Sequence, residues 1–203
     1  MSELDPKRLP RGRHSLSREA VEADQRIRII TGLAESVRTR GYLETSVATI
    51  IKSAGVSRET FYHLFDSKLD CFMGAFDFMA EMLLGHLEKV ASTKGGPDQK
   101  FESALGAYLD ALALDPGFAR LLLVEVFAAG EEAMARRDLI QAEFVKAAMQ
   151  ALELDKEEEF AVRMLVAAVA TMVTGPLVRG DIDALQDLRE PILREVRTRF
   201  ALG

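Results

Sequence analysis

Residues 46–65 read Ser-Val-Ala-Thr-Ile-Ile-Lys-Ser-Ala-Gly-Val-Ser-Arg-Glu-Thr-Phe-Tyr-His-Leu-Phe, and their second half puts Arg58, Glu59, Thr60, Tyr62 and His63 on one polar side. A guanidinium, two hydroxyls and an imidazole at helical spacing are donors of the kind that meet phosphates and base edges. A DNA major groove, about 12 Å wide, admits one such helix and is read by its first residues. Catalytic chemistry has no comparable set of residues. His14, His63 and His86 lie far apart with no ligand spacing, and the single cysteine, Cys71, sits beside Phe72 as a small apolar residue. No Ser/His/Asp set, glycine-rich phosphate loop or carboxylate pair stands out. The expectation is a protein that is not an enzyme and needs no metal or cofactor.

The elements that must hold these side chains are two short helices, Ser46 to Ala54 and Arg58 to Leu64, separated by Gly55. Glycine suits a turn that needs a left-handed backbone, and the arrangement is a helix-turn-helix. Val47, Ile50, Ile51 and Ala54 form the inner face of the first helix, and Val56, Phe61, Leu64 and Phe65 that of the second, which Ser57 caps. A plain helical hairpin inside a bundle has the same spacing. The exposed Tyr62–His63 pair between Arg58 and Lys68, and the basic residues upstream, favour the DNA reading.

Those upstream residues belong to a charge asymmetry. The 203-residue chain is 48% hydrophobic and 29% charged with a net charge of −6, ordinary globular composition. Residues 1–66 nevertheless carry a balance of +2 and residues 67–203 one of −8. Five basic residues against two acidic ones in the first 18 form a basic arm that includes Arg11 and Arg13, which points to a polyanion at one end only.

Helical periodicity runs through the rest. Glu19 to Thr39 has one apolar stripe that stops at Gly41, and Ser67 caps a long helix from Lys68 to about Ser92. Lys94-Gly95-Gly96-Pro97 is a linker, after which Asp98 caps a helix to Leu114. Helices follow over Phe118 to Ala128, Glu131 to Leu152, Phe160 to Val178, and Ile182 to Phe200, the last kinked or split at Pro191. The fold class is all-α, with about nine helices. The uncharged run Met164 to Val178 falls short of the roughly 20 residues a membrane span needs, and no secretory signal opens the chain, so a cytoplasmic protein without a membrane partner is expected.

Phe72, Phe76, Met79, Leu83, Phe101, Leu105, Tyr108, Phe118, Leu122 and Phe127 suit the walls of an adaptable apolar cavity, with Tyr108 and His86 as polar handles; plain core packing is the alternative. Phe160 to Val178 is apolar on nearly every face and carries Ala167, Ala168, Thr171 and Gly175, small residues that allow a second helix to approach closely.

The pattern Gly41-Tyr42-x-x-Thr45-Ser46-Val47-x-x-Ile50, then Ala54-Gly55-Val56-Ser57-x-x-Thr60-Phe61-Tyr62-x-x-Phe65-x-Ser67-Lys68, resembles the DNA-binding domain of the TetR family of bacterial transcription regulators. The match covers roughly residues 20–75; beyond them only length and helical layout agree. The resemblance implies three parts: a basic arm (1–18), a three-helix DNA-binding domain (19–67), and a C-terminal effector-binding and dimerisation domain (68–203). It implies a homodimeric repressor that a small, largely apolar effector releases from a palindromic operator. Ser46, Ser57, Tyr62 and Lys68 would contact phosphates, as would the arm, while Arg58, Thr60 and His63 would face bases. The Phe160–Val178 helix and the last helix (Leu188, Ile192, Val196) would form a four-helix dimer bundle. Two residues depart from the family pattern. Ile51 stands where a small Ala is usual. Glu59 stands where Gly is usual, and either accepts from a cytosine amino group or favours the helix dipole. The competing functions are an all-helical enzyme or binding protein with an incidental helix-turn-helix, and a DNA-binding relative with no small-molecule effector.

Overall fold

The computed structural model describes residues 17–92 and 94–202, which contain no strand. Arg11 and Arg13 lie outside the described residues. The elements are α1 (Arg18–Glu44), α2 (Val47–Ala54), α3 (Arg58–Leu64), α4 (Lys68–Ala91), α5 (Pro97–Leu114), α6 (Pro116–Arg120), a π turn (Leu121–Glu125), α7 (Val126–Ala129), α8 (Glu131–Leu152), α9 (Glu159–Arg179), α10 (Ile182–Gln186) and α11 (Arg189–Phe200). The π turn joins α6 to α7 in one continuous rod, and only two residues separate α10 from α11. Counted as rods, the described residues form nine helices.

Ser17 caps α1 by accepting from the Ala20 N–H, and the stripe Ile29, Ile30, Leu33, Val37 is buried. The helix breaks at Gly41, whose φ of 76° is a backbone state that a side chain disfavours. Ser46 and Thr49 form a reciprocal capping box at the start of α2. Gly55 closes α2 in the left-handed conformation, φ 63°. Ser57 caps α3 through the Thr60 N–H. A Cβ on Gly32 would stand 2.9 Å from the Ala54 nitrogen and the Ile50 oxygen, so glycine is what lets α1 cross α2 this closely.

Ile50, Phe61 and Phe65 pack with the α1 stripe and with Cys71, Phe72 and Phe76 of α4 in one core that extends to Leu121 and Val126. Ile51, the first departure from the family pattern, is half-buried against this core. A second core joins α5 to α9, α10 and α11 around Leu109, Val173, Leu185 and Leu193. At about 1.5 Å per residue, α4 is roughly 36 Å long, and it carries its buried face from the first core towards the second.

Two local expectations are corrected. Asp98 does not cap α5: backbone at Gly96 does, with Pro97 in the first turn, where a missing N–H costs nothing, and Asp98 instead receives two bonds from Arg197 of α11. The last helix is split after Gln186, and Pro191 sits inside the first turn of α11. Residues Lys156–Arg179 are long and apolar enough, by length and composition, to cross a membrane, a reading the uncharged run alone did not reach. One side of this helix is committed to the core through Val162, Val169, Val173 and Leu177, while Phe160, Met164, Met172 and Val178 are exposed.

Candidate functional site

The outer face of α3 exposes Arg58, Glu59, Tyr62 and His63, with Thr60 half-buried beside them. Arg18 and Gln25 of α1 complete a shallow groove with Glu59, Thr60, Tyr62 and His63. Arg58 lies over the Tyr62 ring at 5.3 Å from its centre, and its Nη2 is 3.4 Å from the Tyr62 hydroxyl, which aligns both side chains along the helix. His63 Nε2 is 3.3 Å from Glu22 Oε1 of α1, and the same oxygen accepts from Arg18 at 2.9 Å. The Arg18 bond, and then that of His63, hold the Glu22 carboxyl below its ordinary range. Glu59 has no ion pair among the described residues.

The hydroxyls of Ser46 and Ser57 are occupied in capping, which fixes the direction of α2 and α3. Two arginines of α1 hold the other ends of these helices. Arg28 Nη2 donates to the carbonyls of Ala54 and Gly55, both at 2.8 Å, and Arg26 Nη2 to that of Leu64 at 3.2 Å. Cations at helix C-termini are favoured by the dipole. The sequence reading passed over both arginines. Lys68 donates to the carbonyls of Tyr42 and Thr45, both at 2.9 Å, over the Tyr42 ring. One of its three donor directions remains for a phosphate, and burial lowers its pKa.

A cavity of about 140 Å³ lies among α4, α5, α8 and α9. By the same measure a water needs some 10–15 Å³, so the space is roughly tenfold larger. Of the residues expected to line it, Phe76, Phe101, Leu105, Tyr108 and Leu122 do. The other six do not. Phe72 and Phe118 pack in or against the first core, Leu83 is buried and Met79 half-buried without reaching the cavity, His86 is exposed, and Phe127 is 57% exposed with Arg137 over its ring. Residues that the sequence reading missed come mainly from α8 and α9: Arg137, Ile140, Gln141, Phe144, Leu165, Val166 and Val169. Leu123, next to Leu122 in the π turn, also faces the cavity.

The expected dimer residues separate in the same way. Ala167, Ala168 and Thr171 are exposed on α9 and Gly175 half-exposed. Ile192 and Val196 are 3% and 2% exposed, and they with Leu188 pack in the chain's own second core, so they do not form a free face. Among the described residues no group of three or more His, Cys, Asp or Glu could hold a metal ion.

Comparison with known proteins agrees with this arrangement. The chain is 25% identical over 114 residues to the nucleoid occlusion factor SlmA of Marinomonas sp. (strain MWYL1), a match covering 56% of the chain and only 58% of that protein. Its fold is similar to the fatty acid degradation regulator FadR of Bacillus halodurans (TM-score 0.76, 19% identity, 84% of this chain and 93% of that one). It is also similar to FadR of Bacillus subtilis, solved in complex with stearoyl-CoA (TM-score 0.72, 20% identity, 83% and 95%). Residues 29–73, from the buried stripe of α1 through the helix-turn-helix into α4, match the family described as bacterial regulatory proteins, tetR family. The chain thus carries a helix-turn-helix segment similar to that of the TetR family of bacterial regulatory proteins.

Proposed function

We propose that the chain is a homodimeric repressor that binds a palindromic operator and leaves it when a small, largely apolar effector occupies the cavity. The observation that carries this reading is the position of α4. Its start is bonded through Lys68 to the last turn before the helix-turn-helix, while Phe76 and Leu87 further along it line the cavity. A ligand that wedges α4 against α5 and α8 shifts the reading helix as a body. Release requires tighter effector binding to the form that does not bind DNA, and DNA then weakens effector binding by the same factor. The exposed side of α9, with Phe160, Met164 and Met172 around Ala167, Ala168 and Thr171, supplies an apolar face for a two-fold partner. An apolar effector suits the walls, and the similar Bacillus subtilis protein holds stearoyl-CoA.

The deciding experiment is to sequence genomic DNA retained by the purified full-length protein. A shared palindrome with half-sites one helical turn or more apart is expected, bound by a dimer in light scattering. Retention of fragments with no common sequence, or a monomer at micromolar concentration, overturns the reading.

A further inference from the structure

Three polar side chains meet the otherwise apolar cavity: Arg137 and Gln141 of α8, and Tyr108 of α5. Arg137 and Gln141 are four residues apart and so share one face of α8. Tyr108 reaches the same stretch of α8, its ring edge-on to Phe144 at 6.2 Å. Burial raises the Tyr108 pKa well above 10, against an opposing influence of Arg137, so the hydroxyl keeps its proton and can donate. Among the described residues none of the three side chains makes a hydrogen bond. Each is nevertheless a donor, and the guanidinium can only donate.

Arg137 is the informative one. Its side chain is 18% exposed, and its nearest carboxylate oxygen, on the solvent-facing Asp138, is 3.8 Å away, beyond hydrogen-bond distance. Its other contact is the face of Phe127, 5.2 Å from guanidinium to ring centre. The neighbouring Arg136, on another face of α8, is paired with Asp77, and Arg197 takes two carboxylates, Asp98 and Glu102. The Arg137 ion pair with Asp138 is too long to be a hydrogen bond, so its donors are free for a ligand. A planar guanidinium beside an apolar space matches a carboxylate's two oxygens.

We propose that the effector is an apolar organic acid, its free carboxylate received by Arg137 with Gln141 and Tyr108 donating, and its hydrocarbon part against Phe76, Phe101, Leu165 and Val169. This rests on the cavity being the effector site. It differs from recognition of a thioester, whose carbonyl carries no charge for Arg137 to meet.

Calorimetric titration of the full-length protein with octanoate, 1-octanol and octanoyl-CoA tests it, alongside Arg137→Gln and Arg137→Lys. Octanoate is expected to bind at least about ten-fold tighter than 1-octanol, the lower end for a charge-assisted bond. Arg137→Gln should remove that advantage while 1-octanol still binds, and Arg137→Lys, which keeps the charge, should retain part of it. Thermal unfolding of each variant separates loss of the site from loss of the fold, and the lysine variant decides the matter if the glutamine one does not fold. Equal binding of acid and alcohol, an undiminished preference in Arg137→Gln, or tighter binding of octanoyl-CoA than octanoate overturns the proposal. Binding of 1-octanol with no preference for the acid would leave the cavity as the effector site and remove only the carboxylate. The retained genomic DNA reports on the repressor reading independently.

Discussion

Glu125 Oε2 accepts the backbone N–H of Tyr42 at 2.8 Å, joining residues 83 apart in sequence. The carboxylate is 7% exposed, and its other oxygen takes the Arg120 Nε at 2.9 Å. It stands on the π turn that brings Leu122 and Leu123 to the cavity. Beside it, a Cβ on Gly41 would lie 3.4 Å from Oε2, at a φ already unfavourable for a side chain. One carboxylate thus ties the last turn before the helix-turn-helix to the wall of the cavity. Glu125→Ala would leave a buried N–H and a guanidinium unpaired, and a loss of about 2–4 kcal/mol is expected. Glu125→Gln keeps an acceptor for Tyr42 and should lose less. Urea denaturation of both variants checks the order.

Arg58 and Lys68 should separate reading from positioning. Arg58→Ala is expected to cost about 1–3 kcal/mol at the true operator and to relax preference at one base position. It also frees the Tyr62 ring that the guanidinium covers. Lys68→Ala should weaken operator and random DNA alike, because a phosphate contact carries no base information. It should also lower stability, since two carbonyls lose their donor. Fluorescence-anisotropy titrations on both DNAs measure this. If Arg58→Ala weakens the two DNAs equally, Arg58 is a phosphate contact.

Two heads on one operator should show a strong salt response. With about 6–8 phosphates neutralised, the slope of log affinity against log salt is expected near −5 to −7. Titrations over a range of salt concentrations give the slope directly, and a flat response is incompatible with paired heads on the backbone.

Acid should loosen the joint between α5 and α11. The Arg197 hydrogen bond holds the Asp98 carboxyl below its ordinary 3.8. A carboxyl whose folded pKa is depressed adds stability that is complete above its unfolded value and is lost as pH falls through the folded one. The urea midpoint should therefore fall on acidification below about pH 4, and Asp98→Asn should flatten that fall. An unchanged pH profile in Asp98→Asn would show that the pair adds nothing, as exposed pairs often do.

The helix-turn-helix was legible because its determinants are local: Ser46 and Ser57 as caps, Gly55 at the turn, and apolar residues at three-four spacing. The π turn was not, because five residues are too few to distinguish its period from an α-helix, and the bond that gives Glu125 its role reaches a residue 83 positions away. Arg137 was missed for a related reason. On α8 charged and apolar residues alternate, and only the placement of α5 and α9 tells which polar side chains face inward. The stripe Leu188, Ile192, Val196 correctly marked a buried face. Periodicity does not say whether the covering helix belongs to the same chain, and here it is α5.

Filling the cavity should uncouple the effector from DNA. Leu105 is 5% exposed and lines the space with Ala104 before it on α5. Leu105→Trp places a larger ring where ligand would lie, at an overpacking cost of about 1–3 kcal/mol. Ala104→Leu adds a smaller volume on the same wall and serves if the tryptophan variant does not fold. Each should bind operator with the same affinity whether or not an effector that releases the wild-type protein is present. Because linkage is reciprocal, effector affinity in these variants should then no longer depend on DNA. Mobility shifts of operator DNA, with and without effector, are the measurement. Normal release in both variants would place the effector outside this cavity.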